Sequence, residues 1–261
     1  MSTLLDRGRR GEFLADCEII DMHGHLGLAG FAIPDVSAAS LVKGMDRVGI
    51  HCCLCAAMPS PSAAAAAGND LVLSAMRQYP GRILGYAVAF PLDAPTVRQE
   101  VRRRLEEGFT GIKLHNINGF PYNDAAYGPA YAMAEERRLP VLLHTWAQDT
   151  EFENIRTVAD KHPEAMFLLA HAGTDKEQEY YRMAAERANV MLDPTLSRIP
   201  RGLIDRMVEA VGAEKIVWGS DAIFLDQAHQ LGKLLAAKIT EEQKKAIFSG
   251  NAKRILARIR R

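Results

Sequence analysis

Short apolar runs alternate with longer amphipathic stretches along the whole chain. Most of the apolar runs are nearly continuous, which is typical of parallel strands buried on both faces. We predict strands over residues 17–25, 51–58, 83–90, 111–116, 140–146, 166–173, 189–195 and 216–222. The stretches between them, such as 96–108, 127–139 and 175–188, have the apolar spacing of helices. Each step from strand to strand has the size of one βαβ unit.

Residues at the predicted helix boundaries agree with this pattern. Residues of the type that caps helix starts are Ser37, Thr96 and Asp175, and glycines placed to end helices are Gly49, Gly108 and Gly212. One compositionally biased stretch, MPSPSAAAAAG at 58–68, predicts a mobile loop that leads into an alanine-rich helix.

Eight strand–helix units in 261 residues predict a (β/α)₈ TIM barrel, a fold that typically needs about 250 residues. The competing α/β layout is a doubly wound open sheet. No Gly-rich phosphate loop follows the first strand, where such a sheet usually carries one, so we favour the barrel. We expect one α/β domain over residues 1–261, with no second domain.

Composition and charge narrow the classes of function. Because 32 Lys and Arg balance 32 Asp and Glu, we expect neither nucleic acid nor a membrane surface as a partner. No apolar run approaches the roughly 20 residues of a membrane span. The charged N-terminus lacks the apolar core of a signal peptide, and four clustered cysteines fit a reducing compartment. We therefore expect a cytoplasmic protein that acts on a small molecule.

Polar residues gather at the carboxyl ends of the predicted strands. In EIIDMHGHLG at 18–27, Asp21, His23 and His25 alternate along a strand, so we expect them on one face. Further residues at strand ends are His115, His144, His171 and Asp221. In a TIM barrel these ends converge on the active site.

Imidazoles together with a carboxylate are the composition of a divalent metal site. Zinc suits these ligands best, and manganese, iron(II) or cobalt can use the same ones. The simpler interpretation is that the histidines are hydrogen-bonded core residues. Placement at several separate strand ends favours the metal site.

Seven motifs in order resemble the amidohydrolase superfamily, in particular the amidohydrolase-2 branch that includes aminocarboxymuconate-semialdehyde decarboxylase. They are DMHGH, GFTGIKLHN, LPVLLHTW, FLLAHAG, NVMLDPT, IVWGSD and SGNAKRIL, and they span residues 21–256. The resemblance implies that His23, His25, His144 and Asp221 hold one metal, with His171 beside it. The motifs are specific to the family and to no substrate.

Two other barrel families fit less well. TatD-type nucleases also begin with His-x-His, but they usually carry a glutamate at strand four and Glu-Thr-Asp at strand eight. This chain has Lys113 and Gly219-Ser220-Asp221 at those places. A phosphoesterase of the PHP type would need more His and Asp ligands.

Lys113 has two interpretations. In binuclear members of the superfamily, a carboxylated lysine on strand four bridges two metals. The alternative is a buried lysine paired with Asp21 or Asp193, and we favour this one, which leaves a single metal.

The predicted site permits two reactions. A metal-bound water has a pKa near 7 instead of about 15.7, so it can attack a small amide, ester or lactone as hydroxide. We expect Asp221 to accept its proton and His171 to stabilise the oxyanion or protonate the leaving group. Reaction at an unsaturated ring carbon would instead release CO₂ without oxidation. We favour the hydrolase because hydrolysis is commoner in the superfamily. The decarboxylase is the alternative. A barrel that binds a metal or ligand without catalysis is a third, less favoured class.

Several residues are candidates for substrate contacts. Arg198 and Arg201 follow strand seven and could bind a substrate carboxylate, unless they belong to a solvated helix face. Rim residues that we expect to line the pocket are Trp146, Asn116, Asn118 and His115. Relatives are often dimers, so the resemblance makes a homodimer one candidate state, although the sequence itself does not determine the oligomeric state.

Other residues have side chains of the types that bind metals but lie at the wrong end of the predicted barrel. His51, Cys52, Cys53 and Cys55 lie at or after the start of strand two, away from the active-site end, so we expect them to serve packing. Asn251 is expected to cap the last helix.

Overall fold

The computed structural model describes residues 3–12, 14, 16–28, 30, 32–58 and 64–260. Within these residues, seven strands form one sheet in chain order, and every neighbouring pair is parallel. The strands are β1 (Ile20–Leu26), β2 (Cys52–Ala57), β3 (Ile83–Val88), β4 (Gly111–Leu114), β5 (Pro140–His144), β6 (Met166–Ala170) and β7 (Val190–Asp193).

Helices connect the strands and surround them. They are α1 (Leu4–Arg9), α2 (Ala38–Val48), α3 (Ala65–Gln78), α4 (Ala94–Glu106), α5 (Gly128–Arg137), α6 (Asp149–Lys161), α7 (Glu177–Glu186), α8 (Leu203–Val211), α9 (Gln227–Ala236), α10 (Glu241–Lys245) and α11 (Asn251–Ala257). Short 3₁₀ turns cover Asn116–Asn118, Ala125–Tyr127 and Ala213–Lys215, and a π-helical turn covers Ala246–Gly250. Among the described residues, no helix is long and apolar enough to cross a bilayer.

Residues 216–222 close the barrel between β7 and β1. Val217 N–H donates to the Leu192 carbonyl (2.9 Å), and on the other side Met22 N–H donates to the Trp218 carbonyl (3.0 Å). The bridges on the two sides are isolated rather than a continuous ladder, so the predicted eighth strand is not a regular strand. Asp221 has φ of 56°, which interrupts the extended backbone that a ladder needs.

The TIM-barrel fold is thus confirmed. That one domain spans residues 1–261 stays a prediction, because the chain ends lie outside the described residues.

Apolar side chains fill the barrel and a second layer around it. The inner group includes Met22, Leu54, Leu142, Leu168 and Val217, all nearly fully buried. A larger group packs the outward faces of the strands against the helices. The interior is therefore solid below the carboxyl ends of the strands, and polar groups are concentrated above it.

The first strand does not alternate regularly. The register of β1 against β2 shifts between Asp21 and Gly24. Met22 therefore lies in the inner apolar group, while the next residue, His23, also reaches partners inside the barrel. The expectation that Asp21 shares a face with the two histidines is wrong for this reason. Its carboxylate instead accepts the N–H groups of His23 and Ser220, both at 3.0 Å.

Three of the predicted helix boundaries need correction. Ser37 caps α2, and Gly49 and Gly212 end their helices as expected. Asp93, not Thr96, caps α4, and α7 begins after Lys176 without a side-chain cap, so Asp175 does not serve as one. Asn251 does not cap α11: its Nδ2 donates to the carbonyls of Ala213 (2.8 Å) and Ile216 (2.6 Å).

The alanine-rich helix after β2 begins at Ala65, as predicted. The loop predicted before it falls largely on residues 59–63, outside the described residues. Cys52, Cys53 and Cys55 are buried, which agrees with a packing role.

Candidate metal centre

Three predicted ligands meet above the barrel core. His23 Nε2 lies 3.1 Å from His25 Nε2 and 3.4 Å from Asp221 Oδ1, and His25 Nε2 lies 3.0 Å from the same oxygen. Bonds of about 2.0–2.1 Å place neighbouring ligand atoms about 2.8–3.0 Å apart in an octahedral site and about 3.3–3.4 Å apart in a tetrahedral one. The three atoms therefore have the spacing of metal ligands.

Hydrogen bonds on the far side of each ring leave these nitrogens without protons. His23 Nδ1 faces Asp193 Oδ2 at 2.7 Å, and His25 Nδ1 faces the Ala56 carbonyl at 3.3 Å. Both partners are acceptors, so each neutral imidazole places its single proton on Nδ1. Two Nε2 lone pairs then point at each other and at a carboxylate. Such a set of acceptors repels unless a cation lies among them, and a divalent metal fits it.

Lys113 supplies one positive charge at this place. Its Nζ is buried and donates to His23 Nε2 at 3.3 Å. The predicted pairing with Asp21 or Asp193 is thus wrong as regards hydrogen bonding. Asp193 is already occupied by His23 and by the Thr195 N–H (3.0 Å), and Asp21 by Ser220.

His171 and His144 adjoin the three ligands. Ring or carboxylate atoms of His23, His171 and Asp221 all lie within 4.8 Å of one another. His144 contacts this group through His171, with Nδ1 3.1 Å from His171 Nε2. Its own Nε2 is buried and has no hydrogen-bond partner among the described residues. The structure thus brings all five predicted site residues together, with His171 nearer to His23 and Asp221 than the sequence suggested.

The backbone at two of these residues is strained. His171 has φ of 63° and Asp221 has φ of 56°, in the left-handed region that residues with a Cβ seldom adopt. His171 Nδ1 also faces the Thr195 carbonyl at 2.5 Å, which fixes its ring. Strained backbone held by surrounding contacts is common where side chains must be aimed at a ligand.

Burial is the largest single influence on the pKa values of the site residues. It lowers the pKa of Lys113 to about 8, against the raising effect of Asp221. Burial and then the charge of Lys113 lower the pKa of His115 to about 3. Burial alone would raise the pKa of Asp221, but His23 and His25 hold it below its usual range. Burial likewise lowers the pKa of His23, His144 and His171, so these imidazoles are neutral while Asp221 is a carboxylate.

A cavity of about 780 Å³ opens onto the cluster. Among the residues that line it are His144, Trp146, His171, Arg198 and Asp221. Arg201 lines a different cavity, together with His229 and Lys233, so the structure separates the two arginine candidates.

The other predicted substrate residues lie away from the cavity surface. His115 stacks on His144 with ring centroids 3.9 Å apart, and its Nδ1 accepts the Ile117 N–H. Asn116 bonds to Trp146 and Glu151, and Asn118 bonds to the Tyr127 hydroxyl. None of these three residues lines the cavity in the part of the chain that is described.

Two residues with structural roles at the site were not predicted. Asp193 orients His23, and its place at the end of β7 is the same signal that identified the histidines. Glu151 lies in the first turn of α6 and is buried, and no sequence motif marks it.

Several similar proteins are decarboxylases. The chain is 25% identical over 246 residues, 72% of this chain and 74% of the relative, to a gamma-resorcylate decarboxylase of Rhizobium radiobacter. A 2,6-dihydroxybenzoate decarboxylase from Rhizobium shares the fold, with a TM-score of 0.73, 17% identity and coverage of 92% and 99% of the two chains. So does a dihydroxybenzoic acid decarboxylase from a Polaromonas species, solved with manganese and the inhibitor 2-nitroresorcinol (TM-score 0.69, 18% identity, coverage 92% and 97%).

These relatives correct the expected reaction. We expected a hydrolase because hydrolysis is commoner across the superfamily, and this prediction is wrong: the relatives described above are decarboxylases, which are lyases. The same ligand types serve both reactions, so the sequence motifs did not separate them.

The family itself is confirmed over most of the chain. The family model described as Amidohydrolase (Amidohydro_2) matches residues 60–258, which include His144, His171 and Asp221. Together with the barrel and the cluster of histidines at its carboxyl end, this match shows that the chain belongs to the amidohydrolase-2 family.

Proposed function

We propose that this protein is a metal-dependent, non-oxidative decarboxylase of a small aromatic acid. The observation that carries the proposal is the meeting of His23 Nε2, His25 Nε2 and Asp221 Oδ1 within 3.4 Å of one another beside a cavity. The similarity to decarboxylases supports this reaction over others that the same ligands could perform.

Four residues would hold one divalent metal: His23, His25, His144 and Asp221. For His23, His25 and Asp221, the support is the spacing of their ligand atoms. For His144, it is the unpartnered Nε2 atom, since His171 Nε2 can accept the proton on His144 Nδ1. The position of His171 close to His23 and Asp221 makes it the rival fourth ligand. Manganese, as in the Polaromonas structure, is our first choice of metal.

Such an ion would stabilise negative charge on the substrate oxygens. Asp221, whose low pKa keeps it a carboxylate, takes the proton of a ring hydroxyl and delivers it to the ring carbon that bears the carboxylate group. The carbon–carbon bond breaks, its electron pair returns to the ring, and CO₂ leaves. The phenolate product then takes a proton from water in the cavity, because the Nδ1 proton of His171 is held by the Thr195 carbonyl and its Nε2 accepts from His144.

Arg198 would orient the substrate. It is exposed, lies on the loop after β7 and lines the cavity with His171 and Asp221. A guanidinium group binds a carboxylate through two parallel hydrogen bonds, so Arg198 suits the acidic group of the substrate. A homodimer remains a prediction.

The test is CO₂ release by protein loaded with manganese. We expect 2,6-dihydroxybenzoate or a related hydroxybenzoate to give CO₂ and the corresponding phenol, and Asp221→Asn to abolish this activity. Asp226→Asn, which removes only the carboxylate cap of α9, is the matched control. No CO₂ from a panel of aromatic acids would contradict the proposal.

Metal analysis tests the ligand set independently of turnover. We expect His144→Ala to lower the bound metal and His171→Asn to retain it. The reverse result would make His171 the fourth ligand. Wild-type protein that binds no divalent metal would contradict the metal site and favour a barrel without catalytic function.

A further inference from the structure

Trp146 is a large apolar residue at the mouth of the cavity. It follows β5 by two residues, lines the cavity and is 51% exposed. One part of its indole packs on His144, with ring centroids 4.1 Å apart. The rest of the ring faces the cavity, where a ligand can contact it.

A closed circuit of hydrogen bonds fixes this indole. Trp146 Nε1 donates to Asn116 Oδ1 at 2.7 Å, and Asn116 Nδ2 donates to Glu151 Oε1 at 2.6 Å. The second carboxylate oxygen, Glu151 Oε2, accepts the backbone N–H of Trp146 at 2.8 Å. The side chain and the backbone of one residue are therefore held by the same carboxylate.

The carboxylate in this circuit is costly to bury. Glu151 is 3% exposed and has no ion-pair partner in the described part of the chain. A buried carboxylate without a counter-charge destabilises a fold unless hydrogen bonds compensate. Here the bonds come from the Asn116 amide and from backbone N–H groups of residues 146–148, so they hold the loop that carries Trp146. The circuit therefore keeps the indole of Trp146 in one orientation.

We infer that Glu151 and Asn116 are positioning residues that hold Trp146 as an aromatic wall, against which the planar ring of the substrate stacks. This inference rests on the proposed function for the identity of the substrate. Other apolar residues that line the cavity, among them Leu196, Ile199 and Leu225, complete a surface suited to a flat ring, while Asp221 and His171 face its reactive substituents. The wall favours planar aromatic acids over acids of similar size without a planar ring.

The test compares variants of the manganese-loaded protein. Glu151→Gln is the central variant, because an amide offers one acceptor to two donors and must break the circuit. Glu153→Gln, on the exposed face of the same helix, is its matched control. Trp146→Leu and Trp146→Phe test the wall directly. Because Trp146 is half-exposed, these variants should fold even if the buried substitution Glu151→Gln prevents folding.

Three measurements test whether Glu151 positions the indole ring. Calorimetry with 2-nitroresorcinol measures ring binding without turnover, and KM and kcat are measured on 2,6-dihydroxybenzoate. Tryptophan emission reports the environment of Trp146, since the only other tryptophan, Trp218, is buried.

We expect Glu151→Gln to weaken binding of 2-nitroresorcinol and to raise KM by about tenfold, with kcat changed by less than about twofold. Its emission should shift to the red as the indole becomes mobile. Trp146→Leu should bind at least as weakly, Trp146→Phe should lie between it and the wild type, and Glu153→Gln should behave as the wild type.

Wild-type affinity for 2-nitroresorcinol in Glu151→Gln and Trp146→Leu would overturn the inference, as would a loss confined to kcat. So would a wild-type protein that does not bind 2-nitroresorcinol. A different result would separate the two proposals. If the wild type binds 2-nitroresorcinol and the variants lose affinity in the expected order, the inference about Trp146 is supported. If no aromatic acid then yields CO₂, only the proposed reaction is contradicted.

Discussion

His23 Nδ1 lies 2.7 Å from Asp193 Oδ2, and neither side chain is exposed to solvent. This bond decides which nitrogen of His23 carries the proton and turns Nε2 toward His25 and Asp221. Asp193 is not among the residues that line the cavity, so we expect it to act on the proposed metal site through His23.

Asp193→Asn should weaken metal binding. The amide keeps the shape of the carboxylate but can donate to His23 Nδ1, which would leave the proton on Nε2. We expect metal affinity to fall about 10- to 100-fold, as found when the partner of a ligating histidine is replaced. Titration of metal-free protein with Mn²⁺ measures this. Unchanged affinity would show that Asp193 does not set the His23 proton.

Gly24→Ala should destabilise the protein through a steric clash in β1. An added Cβ would lie 2.2 Å from Cys53 Sγ. We expect a loss of about 1–3 kcal/mol in the free energy of unfolding, typical of overpacking. Cys53→Ala removes the clashing sulfur, so Gly24→Ala should cost less in that background. Equal costs in both backgrounds, measured by denaturant unfolding, would rule out the clash.

Asn251→Ala should weaken the contact between α11 and the segment that closes the barrel. The side chain satisfies the carbonyls of Ala213 and Ile216, and its loss should cost about 1–3 kcal/mol. Asn251→Asp should cost more, because a carboxylate would face two carbonyl oxygens. The exposed Lys253→Ala is the control, with a change below about 1 kcal/mol. An Asp variant as stable as the wild type would contradict this role.

Glu177 and Arg206 should give a small pH-dependent stabilisation. Their two hydrogen bonds, at 2.6 and 3.0 Å, join α7 to α8, and the bond from Arg206 lowers the pKa of Glu177. Because the pKa is lower in the folded state, this stabilisation is present above the unfolded pKa and is lost as the pH falls through the folded pKa. Screening limits it to about 1 kcal/mol.

Unfolding of Glu177→Gln and wild type should therefore differ at pH 7 and converge in acid. A difference that persists at a pH below both pKa values would show that the cost comes from packing rather than charge.

The sequence predicted the meeting of the histidines because topology enforces it. Parallel strands in a barrel bring their carboxyl ends to one rim, so His23, His144 and His171 had to lie near one another once the strands were recognised. The same logic covers Asp221, although its segment forms only isolated bridges.

Details that depend on contacts between distant residues were not predictable in this way. The shift in β1 moves Asp21 away from the histidines and brings Gly24 against Cys53, and periodicity alone assumes a regular strand. Glu151 comes from a helix that follows the rim, where a single acidic residue has no distinctive pattern. The reaction was also missed, because metal ligands are common to both chemistries.

The hydrogen bonds that join residues 216–222 to β1 through Met22 and to β7 through Val217 have a consequence for synthesis of the chain. Until residues 216–222 have left the ribosome, β1 and β7 are unprotected sheet edges able to pair with another molecule. A translation stop before Asp221 should therefore yield an aggregation-prone product that retains most of its helices. The proposed metal site, which includes Asp221, should form only when the last side of the barrel is in place.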